Sequence, residues 1–162
     1  MAKKTLVTAV AAVLSVLCGL CGCKKEPKPA QHEASDITTV SLFCSHMDFN
    51  YCYSFYVYKE DDVWLFDASC FTNDFTDQTE FESRKIIDED VEVMLDIIEQ
   101  NGMIVYAENY VKPEASDYMI MDETKYSFGL RFSDGNSYMT SSAQGKLEDL
   151  FYSLAEKYSD AE

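Results

Sequence analysis

Histidine, glycine and basic side chains are all scarce in this chain of 162 residues, and each shortage removes a class of function. There are two histidines, and only His46 lies beyond residue 36. A Ser-His-Asp triad or a His-rich metal site therefore lacks material. The six glycines form neither a phosphate-cradling loop nor a Gly-x-Ser-x-Gly elbow, and His-Glu-x-x-His is absent. Thirteen basic residues face 29 acidic ones, for a net charge of −16. Coulomb repulsion from such a surface disfavours nucleic acid. The apolar run from Thr5 to Leu20 has 16 residues, short of the roughly 20 that cross a bilayer as a helix.

That run follows Lys3 and Lys4 and ends in Leu20-Cys21-Gly22-Cys23. A basic start, an apolar centre and small residues at the exit make a secretory signal. The exit resembles the lipobox of bacterial lipoproteins, Leu-x-Gly-Cys, with Cys23 as first mature residue. Cys18 and Cys21 follow the bulky Leu17 and Leu20 and match it less well. The resemblance covers residues 1–23 only. It implies lipidation of Cys23, cleavage after Gly22, and a lipid anchor in the cell membrane or outer membrane, with the domain facing outside the cytoplasm. Loss of Lys3 and Lys4 leaves 11 basic against 29 acidic residues, a mature charge of −18.

Lipidation and signal removal leave Cys44, Cys52 and Cys70, an odd set that allows at most one internal disulfide. Nothing basic lies near them in sequence to lower a thiol pKa, so they do not read as nucleophiles.

The organisation reads as a signal peptide over 1–22, the lipidated Cys and a flexible tether over 23–36, and a single domain over 37–162. The tether carries two prolines and several charges without periodic apolar residues; His32 within it reads as solvated. Ile37 to Met47 is β-rich. Tyr51 to Tyr58 and Val63 to Phe71 form a hairpin across the charged turn Lys59–Asp62. Two registers compete, with facing numbers summing to 122 or 121, and Trp64, Phe66 and Ala68 look buried in both. The echo of Tyr53-Ser54-Phe55 in Tyr126-Ser127-Phe128 favours the second. It turns Tyr53, Phe55 and Val57 inward and Cys52, Tyr56 and Tyr58 outward.

Thr72 to Glu80 reads as an acidic loop without the EF-hand spacing. Phe81 to Ile87 reads as a strand, and Asp88 as the cap of a helix whose stripe is Val91, Met94, Leu95 and Ile98. Asn101-Gly102 ends that helix. Met103 to Glu108 reads as a strand, and Tyr118 to Met121 as an edge or satellite cluster. Tyr126 to Phe132 turns at Asp134-Gly135, with Met139 opposite Leu130. A C-terminal helix from Lys146 presents Leu147, Leu150, Phe151, Leu154 and Tyr158. The expected class is α+β: an antiparallel sheet of short strands with two amphipathic helices on one face, consistent with a strand-strand-helix duplication.

No catalytic residue, metal ligand or cofactor emerges. His46 with Cys44 or Cys52 lacks a recognised metal spacing. The surplus is aromatic. Both faces of the Tyr51–Tyr58 strand carry rings, yet one face suffices for the core. Tyr56 and Tyr58 on the other face are the candidate ligand-binding residues. The leading expectation is a lipid-anchored, non-enzymatic envelope module that binds a protein, peptide or glycan. The alternatives are a small carboxylate-dependent hydrolase and a structural accessory subunit of an envelope complex.

Overall fold

A computed structural model describes residues 28–46, 52–72, 77–112 and 124–159. Six strands form one antiparallel sheet: β1 (Ile37–Ser45), β2 (Tyr53–Glu60), β3 (Val63–Thr72), β4 (Asp77–Lys85), β5 (Lys125–Phe132) and β6 (Ser137–Thr140). Their order across the sheet is β4-β3-β2-β1-β5-β6. Helices α1 (Asp88–Gln100), α2 (Met103–Glu108) and α3 (Gly145–Ser159) pack against it, giving the expected α+β class with one helix more than foreseen.

The core is where alternation in the strands meets helical periodicity. Val40, Leu42, Phe55, Val57, Phe66, Phe128, Leu130 and Phe132 are fully buried on the inner face of the sheet. Val91, Met94 and Ile98 of α1 and Leu147, Phe151 and Leu154 of α3 cover them. Phe151 sits edge-on to Phe55 at 5.7 Å and lies 5.8 Å from Phe66. Each such ring contributes on the order of 1.5–3 kcal/mol by leaving water. The Tyr-Ser-Phe echo has a structural meaning: Cys44 of β1 pairs with Tyr53 on one side and Tyr126 on the other, and Leu42 with Phe55 and Phe128. The extra strand β4 and the extra helix α2 break a simple strand-strand-helix repeat.

Several expectations are corrected. The β2–β3 register sums to 123, as in Val57 opposite Phe66. Asp61 and Asp62 both take positive φ, 48° and 62°, and close the hairpin in two residues, whereas the 122 register needs an odd loop and the 121 register centres the turn one residue earlier. The parity chosen from the echo survives, because 123 and 121 differ by two residues. Phe66 and Ala68 are buried, while Trp64 is half-buried. In the second hairpin Gly135 alone takes positive φ, so the loop is Ser133-Asp134-Gly135. Met139 then faces Gly129, and Tyr138 faces Leu130.

Strand β4 already begins at Asp77. Asp88 lies inside α1, with Ile87 as the capping position and no side-chain cap. The Ile87 N–H instead donates to the Tyr158 hydroxyl at 3.1 Å, and that hydroxyl donates to Asp90, which also holds Lys157 at 2.6 Å. Asn101-Gly102 does end α1, but Met103 to Glu108 is a helical turn and a half instead of a strand. Burial of Met103, Ile104 and Ala107, one helical face, decides it. The cluster at Tyr118 to Met121 lies outside the described residues.

The largest correction concerns the tether. From Lys28 onward it is docked on the domain. The Lys28 N–H and carbonyl bond the Asn109 side chain at 2.9 and 3.0 Å, and the Gln31 N–H donates to Glu108 at 2.7 Å. His32 is half-buried between carboxylates, and Ala34–Asp36 forms a short 3-10 turn whose Ala34 joins the core. The composition of the segment gives no sign of this, since polar partners far along the chain hold it.

Candidate functional site: the open face of the sheet

The three described helices share one core with the inner side of the sheet, so among the described residues the alternate residues of every strand form a face without helices. Across its middle run Asp67, Tyr56, Ser41, Gly129 and Met139, each paired with the next. Tyr58, Thr39 and Arg131 form the adjoining row. The structure thus brings the two predicted tyrosines together on the open side, ring centroids 5.1 Å apart and planes inclined by 37°. Tyr56 is 40% exposed. Tyr58 is half-buried, and its hydroxyl lies 3.1 Å from Ser83 Oγ. Ser83 has φ 54°, in the stretch where the β3–β4 register shifts, and its N–H donates to Asp67 at 2.7 Å. The bulge thereby carries Ser83 to Tyr58.

Sequence reasoning missed a depression of about 290 Å³ beside the tyrosines, lined by Ser41, Tyr56, Gly129, Arg131, Tyr138 and Met139 among others. Glycine at 129 permits a close approach of neighbouring side chains. A Cβ there would stand 2.6 Å from Ser41 Oγ and 3.1 Å from Met139 Sδ. The signal was present as an isolated glycine within a strand pattern. Met139 is exposed, with Ser127 Oγ 2.8 Å from its sulfur.

Cys52 sits just ahead of β2, half-buried, with its sulfur 3.2 Å from the His46 N–H and 3.4 Å from the His46 carbonyl. Cys44 and Cys70 are buried, and all three are free thiols. Burial pushes both buried thiols up to about 11, which suits packing and not nucleophilic attack. They line a second depression of about 440 Å³ at one end of the sheet.

Glu148 of α3 is half-buried near this end, and burial raises its carboxyl above the ordinary carboxylate range. It hydrogen-bonds Tyr53, whose hydroxyl burial also raises. The carboxylate acting on Glu148 is the exposed Asp149, so the paired buried carboxyls of a glycosidase-like site are not assembled there among the described residues. His32 has carboxylates on both ring nitrogens, Glu108 Oε1 at 2.6 Å and Asp134 Oδ2 at 3.0 Å. No nitrogen is left to move a substrate proton. Among the described residues no group of three His, Cys, Asp or Glu side chains could hold a metal ion. Nor is any described helix long and apolar enough to cross a membrane.

Cys23 and the lipobox-like stretch lie outside the described residues. No protein-family model, no curated protein and no solved structure matches the chain.

Proposed function

We propose that this chain is a lipid-anchored module of the bacterial envelope, held through Cys23, that binds a protein, peptide or glycan on its open sheet face without catalysing a reaction. The observation that carries the reading is the pairing of Tyr56 with Tyr58 on the face the helices leave bare. Aromatic rings held on a rigid strand give contact area at little conformational cost. Among the described residues, Arg131 and Lys125 on that face have no carboxylate within ion-pair distance. In so acidic a chain, cations left unpaired on one face favour a partner carrying negative charge.

The test has two arms. Membrane fractionation and the N-terminal mass of the wild type and of Cys23→Ser examine the anchor. Normal processing of the variant sinks it. A photo-crosslinking residue placed at position 56, and separately at exposed position 92 of α1, examines the face in intact envelopes. Adducts at 56 and none at 92 support the reading. Equal yields, or none at 56, reject it.

A further inference from the structure

The docked segment decides more than where the chain starts to fold. It sets which part of the domain comes nearest the lipid. Lys28 is fastened at both backbone groups to Asn109. Asn109 borders an apolar depression of about 450 Å³ lined by Val105, Tyr106, Tyr110 and Val111. Val111 is 84% exposed and Tyr106 is 42% exposed, and the two tyrosine rings lie 5.8 Å apart. Residues this apolar and this exposed at the end of a short helix lack a role in the described fold.

The chain outside the described residues supplies the occupant. Five residue steps separate Cys23 from Lys28, and an extended chain covers at most about 3.6 Å per residue, so the anchored sulfur lies within about 18 Å of Lys28. The headgroup layer alone is roughly 5–8 Å deep. A lipid on Cys23 therefore keeps the Asn109 edge at the membrane surface, with little room to turn away. The local charges agree. Lys28 is held at this edge and Lys112 follows Val111 directly, while Lys24 and Lys25 precede Lys28 in sequence, although the whole chain is strongly acidic. Helix α1, with six acidic residues and no basic one, contacts α2, and its charge begins on the far side of Asn101 and Gly102 in the chain. Tyrosine rings with flanking lysines are the side chains that settle at a bilayer interface.

We infer that Tyr106 and Val111 form a membrane-contacting patch, seated in the lipid interface beside the anchor and backed by the half-buried Tyr110, leaving the tyrosine-bearing sheet face free for its partner. This rests on the lipidation of Cys23 proposed above. The patch and the anchor act together: the lipid brings the edge down, and the docked strap fixes which edge it is.

The experiment uses the full chain processed in bacterial cells and reconstituted in phosphatidylethanolamine–phosphatidylglycerol vesicles, with and without brominated acyl chains. Native Trp64 is the internal reference. Its backbone carbonyl accepts the Ile86 N–H just ahead of α1, the whole length of which, about 20 Å for 13 residues, separates that point from α2. Val111→Trp should add emission, more than half of which brominated lipid removes, while the Trp64 emission of the wild type is unchanged. Tyr106→Trp is the second probe should Val111→Trp fold poorly. Intact N-terminal mass is read on the same samples. A lipidated protein whose added indole is unquenched overturns this inference and leaves the anchor standing. A wild type without N-terminal lipid overturns both. Quenching at Tyr56→Trp in place of positions 106 and 111 also overturns it, because the sheet face would then lie on the lipid.

Discussion

His32 Nδ1 lies 2.6 Å from Glu108 Oε1, 76 positions later in the chain, while its Nε2 meets Asp134 at 3.0 Å. Its ring stacks on Phe132 with centroids 4.1 Å apart. The hydrogen bonds and charges of Asp134 and Glu108 raise the His32 pKa above 6.5, and His32 in turn lowers that of Asp134 from 3.8. A raised histidine stabilises the docked strap fully below its unfolded value, and that contribution vanishes as pH rises through the raised one. Asp134 acts in the opposite sense, and its share is lost as pH falls through its lowered value. The strap is therefore held across the interval between them. Titrating the His32 ring by NMR between about pH 5 and pH 9, alongside hydrogen exchange at Gln31 and His32, should show protection falling as the ring loses its proton. A His32 pKa at or below 6.5 contradicts this.

Core and rim should separate cleanly in urea. Phe151 is fully buried against Phe55 and Phe66, so Phe151→Ala is expected to cost about 3–5 kcal/mol. Leu150, one position earlier, is only half-buried, and Leu150→Ala should cost about half as much or less. Equal losses would mean that α3 is rotated from the packing described.

Gly129→Ala is expected to lose about 1 kcal/mol, because its methyl group would press on Ser41 Oγ at 2.6 Å. Most of that should return in Ser41→Ala/Gly129→Ala, where the pressing oxygen is gone. A double-mutant cycle measures the coupling. Additive losses would show that the close approach is not the cause.

The tyrosine pair makes a prediction about stability alone. Tyr56→Ser/Tyr58→Ser removes rings from the open face and one hydrogen bond to Ser83, so a loss of roughly 1–2 kcal/mol is expected. A thermal melt decides it. Collapse of the fold would place these rings in a core and remove the platform on which the proposed function stands.

Alkylation followed by peptide mass mapping should label Cys52 first in native protein. Cys44 and Cys70 are buried, with thiols pushed up to about 11. They should react only on unfolding, or as pH climbs toward those values. Fast labelling of Cys44 or Cys70 at neutral pH is the contrary result.

Alternation and helical spacing by themselves determined the class, the inward set Phe55, Val57, Phe128 and Leu130, the stripes of α1 and α3, and the outward placing of Tyr56 and Tyr58. These follow from side-chain periods of two and 3.6, which depend on neighbours in the chain alone. Tertiary structure decided what depends on distant partners. The β2–β3 register awaited a two-residue turn built from Asp61 and Asp62, which lack the usual glycine. Met103 to Glu108 is too short for its period to be read, and only packing of Met103, Ile104 and Ala107 under the sheet selects helix. The depression at Gly129 needs Ser41 and Met139 from other strands. Docking of the tether needs Glu108, Asn109 and Asp134, more than 70 positions away, to give a polar segment the hydrogen bonds it otherwise takes from water.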